Sequence, residues 1–185
     1  MADIEFNFGD PIALDVMLPI NPGVAVGLPA AINANAGVYI ILNRYPNRMT
    51  PENRYMGITN NFQNRFASRQ GACYELGLER QALDGVHAFL GIMRYRNQGA
   101  LLWNNPGGYD AANVNIALDG VGYDFEHILI KGVQHLWPYA TITNTQKTGG
   151  LNNPGAYALN ITVAWTIGGF AQNVNLAVPA GGNLA

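Results

Sequence analysis

The run Ala36-Gly-Val-Tyr-Ile-Ile-Leu42 is β-branched and aromatic and is apolar at both parities. A strand with one wet face alternates, whereas a strand apolar on both faces must be covered on both, so this segment reads as a central strand between two layers. It needs neighbours in a sheet. Arg54-Tyr-Met-Gly-Ile-Thr59 reads as a second strand, and Val86-His-Ala-Phe-Leu-Gly-Ile-Met-Arg94 as a third. Residues 43–53, with Pro46, Asn47 and Pro51, form a connection too long for a tight hairpin.

Two helices are expected among these strands. Asn60 or Asn61 suits an N-cap, and Phe62, Phe66 and Cys73 give an amphipathic helix ending near Gly71 or Gly77. From Asp124, a second cap, Phe125, Ile128, Leu129, Val133 and Leu136 recur at helical spacing up to the stop at Pro138. Residues 97–119, rich in Asn and Gly, read as an insertion with one strand at Val114–Leu118. Tyr157 to Trp165 and Val174 to Val178 alternate on either side of Gly168-Gly169, which predicts a C-terminal hairpin. Residues 1–35 read as an extended arm, and Ala180–Ala185 as a loose tail.

A length of 185 residues and an apolar fraction of 49% fit one domain with its own core, with a central unit over 36–145 and an extension over 146–185. Charged residues make up only 12%, so Asn, Gln, Thr and Gly must cover much of the surface. The single Cys73 excludes an internal disulfide. Every apolar stretch is too short to span a membrane. The start Met-Ala-Asp-Ile-Glu lacks a secretory pattern, which leaves a cytoplasmic protein or one exported by a non-Sec route. The net charge of −2 conceals segregation, because eight of the ten cations are arginines between Arg44 and Arg96. That cluster is either a phosphate footprint or a solvated surface.

Gly37-Val38-Tyr39 falls on the first strand, Tyr55-Met56-Gly57 on the second, and Arg65 follows Gly57 by eight residues on the first helix. Glu126-His-Ile-Leu-Ile-Lys131 opens the second helix, with Pro138 and Asn144 downstream. In order and placement this series resembles the GIY-YIG nuclease superfamily over residues 36–145, as a divergent member. Read singly, Arg65, Glu126 and Asn144 fit structural roles, and Tyr39 and Tyr55 fit ordinary sheet aromatics. Together they make five coincidences.

The resemblance implies an α/β fold: a three-stranded sheet flanked by helices, elaborated by the arm, the insertion and the hairpin. It implies an Mg²⁺- or Mn²⁺-dependent endonuclease acting on DNA, with RNA less favoured. Tyr39 would help activate water, Tyr55 would shape the site, Arg65 would stabilise the scissile phosphate, and Asn144 would support the phosphate or the outer shell of the metal. Glu126 would be the metal ligand, and Gly37, Gly57, Arg69 and Lys131 would line the substrate. Phosphodiester hydrolysis calls for such groups, because charge accumulates on phosphorus and its oxygens.

Departures from the family pattern also count. Tyr39 and Tyr55 are widely spaced, Ile58-Thr59 stands where many members carry a Lys, and Arg69 stands where many carry His or Tyr. These favour a rival reading, a weak or inactive module that binds nucleic acid or protein. A restriction-type enzyme, or a delivered toxin silenced by a cognate inhibitor, keeps the chemistry, and a homodimer is a further expectation. His87, His127 and His135 lack metal-ligand spacing and read as structural, with His87 on the third strand also a candidate alternative base.

Overall fold

A computed structural model describes residues 1–13, 36–42, 53–62, 64–65, 87–136, 141–142, 144, 146–147, 149–167 and 170–184. Its strands begin with β1 (Ala2–Phe8), β2 (Ile12–Ala13), β3 (Gly37–Leu42), β4 (Asn53–Thr59), β5 (His87–Arg96), β6 (Asn115–Leu118) and β7 (Val121–Asp124). Helix α1 (Phe125–Leu136) precedes β8 (Thr141–Ile142), β9 (Leu151–Asn152), β10 (Leu159–Ile167), β11 (Phe170–Val178) and β12 (Asn183–Leu184). The fold is mixed α/β and dominated by strands, with α1 as the one complete helix among the described residues.

Eight strands share one sheet in the order β11-β10-β1-β5-β3-β4-β8, with β2 pairing β5 beside β1. The β1–β10 and β4–β8 pairs are parallel and the remainder antiparallel. As its composition requires, β3 is central and covered on both faces, with Val38, Tyr39, Ile40 and Ile41 all buried. On one face Val38, Ile40, Met56 and Ile58 join the main core with Phe125, Ile128, Leu129 and Val133 of α1. Tyr39, Ile41, Leu90 and Phe62 are buried outside that cluster.

The sheet is wider than the three strands expected. The first residues of the supposed arm are β1, whose Ala2, Ile4, Phe6 and Phe8 are buried while the residues between them are half-buried. Arg94 and Arg96 on β5 pair with Glu5 and Asp3 at 2.9 Å and 2.6 Å, so the intervening acids are neutralised by the neighbouring strand. The C-terminal hairpin forms as β10 and β11, but it continues this sheet through β1. Residues 14–35, Arg69, Cys73, Pro138 and the first helix beyond Arg65 lie outside the described residues.

The insertion is anchored. Tyr109 is buried, exchanges hydrogen bonds with the main chain of Met93, and meets Phe125 edge-on at 5.8 Å. The tail is not loose, since β12 pairs with β9. Beside that pair Asn153, fully buried, accepts from the hydroxyl of Tyr123 and donates to the carbonyls of Tyr157, Val178 and Pro179.

Candidate active site

Two glycines build this corner. In the β3–β4 register Tyr39 stands opposite Gly57 and Gly37 opposite Thr59. Partners in register project to the same face, so the phenol of Tyr39 points over Gly57. A β-carbon on Gly57 would lie 2.7 Å from that hydroxyl. One on Gly37 would clash with the carbonyl of Gly91 and meet the ring tip of Phe62 at 2.8 Å. Gly57 therefore seats the phenol, and Gly37 seats the first residue of the following helical turn.

That turn carries Arg65. Asn61 caps it, its side-chain oxygen accepting from the amide of Asn64 at 2.9 Å while its carbonyl accepts from the amide of Arg65 at 3.0 Å. The turn aims the guanidinium back at the sheet, and Arg65 Nε donates to Tyr39 Oη at 3.0 Å. The rings of Tyr39 and Tyr55 lie 6.1 Å apart and are inclined by 38°.

Burial sets the electrostatics. It pushes the Tyr39 phenol well above the ordinary tyrosine range, Tyr55 pushes it further, and Arg65 partly offsets both. For Arg65, burial works against the charged form, but Tyr39, Tyr55 and Glu126 outweigh it and hold the guanidinium firmly protonated. The charge of Glu126 is thus felt at Arg65.

Glu126 sits in the first turn of α1, just after Asp124, whose Oδ1 caps the helix by accepting from the amide of His127 at 3.0 Å. Lys147 bridges the two acids, with Nζ 2.5 Å from Glu126 Oε2 and 2.8 Å from Asp124 Oδ2. Burial opposes the charge on Lys147, but the two carboxylates prevail and raise its pKa. Sequence reasoning passed over Lys147 and treated Asp124 only as a cap. No local signal links a cation in a polar loop to acids more than twenty positions earlier.

Asn144 lies at the outer edge of β4. Its Oδ1 accepts from the amide of Met56 at 3.1 Å and its Nδ2 donates to the carbonyl of Met56 at 2.8 Å. The side chain imitates a paired strand, extending the β4–β8 ladder and fixing the residue between Tyr55 and Gly57. Lys131 is buried, its Nζ donates to Gln134 at 3.0 Å, and burial pushes its pKa down. That hydrogen bond lies within α1. Tyr39, Tyr55, Gly57 and Arg65 are brought together, Glu126 acts on Arg65 through its charge, and Asn144 braces the strand beneath.

Two carboxylate oxygens, a donor type that magnesium accepts, here converge on the ammonium of Lys147. Among the described residues no group of three or more His, Cys, Asp or Glu side chains gathers. No described helix is long and apolar enough to cross a membrane. Comparison with protein-family models, curated proteins and solved structures returned no match.

Proposed function

We propose that the corner formed by Tyr39, Tyr55, Arg65 and Glu126 hydrolyses nucleic-acid phosphodiester bonds, with DNA as the substrate, as a divergent GIY-YIG-type endonuclease. The observation that carries this reading is the bond from Arg65 Nε to Tyr39 Oη, which joins a cation and a phenol that the motif separates by 26 positions. The central place of β3 between β4 and β5 supports it further.

The chemistry follows from the states of these groups. Arg65, fixed by Tyr39, presents a permanent positive charge to the scissile phosphate, where it favours the more highly charged transition state. Tyr39, like any tyrosine, is neutral at physiological pH, and its raised pKa keeps it so. It therefore orients the attacking water by hydrogen bonding, while the proton that water loses passes to a phosphate oxygen or to solvent. Tyr55 packs beside it and limits where the substrate can lie. Glu126, with Asp124, would hold Mg²⁺ or Mn²⁺, which when bound polarises a phosphate oxygen. Asn144 positions β4 and leaves contact with the substrate to its neighbours.

Lys147 favours a second reading. An ammonium already bridging Asp124 and Glu126 suits a module that binds nucleic acid without cutting it. Supercoiled plasmid mixed with protein and Mg²⁺ or Mn²⁺ separates the two. Nicking that is lost in Arg65→Ala supports the nuclease, whereas salt-dependent retardation with intact supercoils across metals and pH supports the binding module.

A further inference from the structure

The two edges of the sheet differ. One is β8, only two residues long, and the other is β11, nine residues long. Among the described residues no strand pairs with the outer side of β11. Exposed edges are ordinarily blunted by charge, by proline or by shortness. β11 has none of these, and the sequence beyond Lys147 contains no Asp, Glu, Lys or Arg at all.

The sequence of β11 also reads nearly the same in both directions. About Val174, Asn173 matches Asn175, Ala171 matches Ala177, and the apolar Phe170 matches the apolar Val178, with Gln172 and Leu176 as the one mismatch. An antiparallel strand pair on a two-fold axis sets each residue opposite its mirror position. We propose that β11 is a self-pairing edge, joining two copies of this chain antiparallel about Val174.

The hydrogen-bond phase agrees with this register. The pairing of Ile167 with Phe170 directs the even-numbered residues of β11 toward β10 and the odd-numbered ones outward. Pairing about Val174 then sets outward residues against outward residues, 173 against 175 and 171 against 177, each pair exchanging two main-chain bonds. A slip of one residue would set outward groups against inward ones. Asn173, Asn175 and Ala177 are exposed, and the Thr162 hydroxyl donates to Asn175 Oδ1 at 2.7 Å, which steadies that amide on the outer strand. The joined sheets would place the two β3–β4 corners at opposite far ends, so the pairing is independent of the hydrolytic reading.

Sedimentation of the full chain tests this, and the wild type is expected as a dimer. Asn173→Lys combined with Asn175→Lys sets ammonium groups against one another and is expected to give a folded monomer by circular dichroism. Asn173→Lys combined with Asn175→Glu sets opposite charges together and is expected to restore the dimer. In a Cys73→Ser background, Val174→Cys is expected to cross-link two chains under oxidation, whereas Ala177→Cys is not. A monomeric wild type, a dimer surviving the double lysine change, a monomeric Lys/Glu variant, or Val174→Cys failing to cross-link would overturn the proposal.

Discussion

Tyr39 and Gly57 face each other across β3 and β4, and the phenol fills the space where a side chain at 57 would stand, 2.7 Å from the hydroxyl. The glycine of the second motif therefore exists for the tyrosine of the first. Gly57→Ala is expected to push the ring off β4, breaking its bond to Arg65 and costing roughly 1–3 kcal/mol, as overpacking of a buried site does. Urea unfolding reads the loss, and unchanged stability would show that the ring has room to move.

The raised pKa of Tyr39 has a consequence for stability at alkaline pH. The folded chain keeps this proton where the unfolded chain, with an ordinary tyrosine pKa of about 10, releases it. Stability is therefore flat below about pH 10 with respect to this group and falls as pH rises beyond it. Tyr109 and Tyr123 are also raised by burial and add to the same slope. Tyr39→Phe is expected to make that slope shallower, which unfolding measured from about pH 8 to 11 would detect.

Asn144 serves β4 through both halves of its amide. Asn144→Ala is expected to lower stability by roughly 1–3 kcal/mol and to speed amide exchange at Met56, because two main-chain groups lose their partner. Asn144→Asp keeps the acceptor for the Met56 amide but sets a carboxylate oxygen against the Met56 carbonyl, so it is expected to destabilise at least as much as Asn144→Ala at neutral pH. A variant with wild-type exchange at Met56 would contradict this bracing role.

Much of this fold can be read from local pattern. The both-parity run of β3, the Asp124 cap and helical spacing of α1, and the alternation of β10 and β11 each carry their signal within a dozen residues. β1 alternates as well, with Asp3, Glu5 and Asn7 between its apolar residues, but its place inside the sheet is not legible locally because the arginines that neutralise the acids lie some ninety positions away. β7 follows Asp119 and Gly120, both with positive φ, a turn pair suited to a tight hairpin that was subsumed in a glycine-rich insertion. At the candidate site the motif residues were legible as types. That Gly57 seats Tyr39, that Asn144 braces Met56 and that Lys147 bridges Asp124 and Glu126 all depend on chain segments meeting in space.

Asn153 gives the clearest structural test outside the site. Asn153→Ala would leave the carbonyls of Tyr157, Val178 and Pro179 and the hydroxyl of Tyr123 without this partner in a buried place. A loss of roughly 3 kcal/mol is expected, since several buried polar groups are orphaned at once. Thermal unfolding measures it, and the β9–β12 pair should exchange its amides first.

Single-turnover cleavage of an end-labelled DNA duplex in Mg²⁺, with binding measured on the same samples, tests the hydrolytic assignment most directly. The wild type is expected to cut, and Tyr39→Phe, Arg65→Ala and Glu126→Gln are each expected to slow cutting by roughly 10²-fold or more while the folded protein still binds. A wild type that leaves the duplex intact in both Mg²⁺ and Mn²⁺, or variants that cut at the wild-type rate, would contradict it.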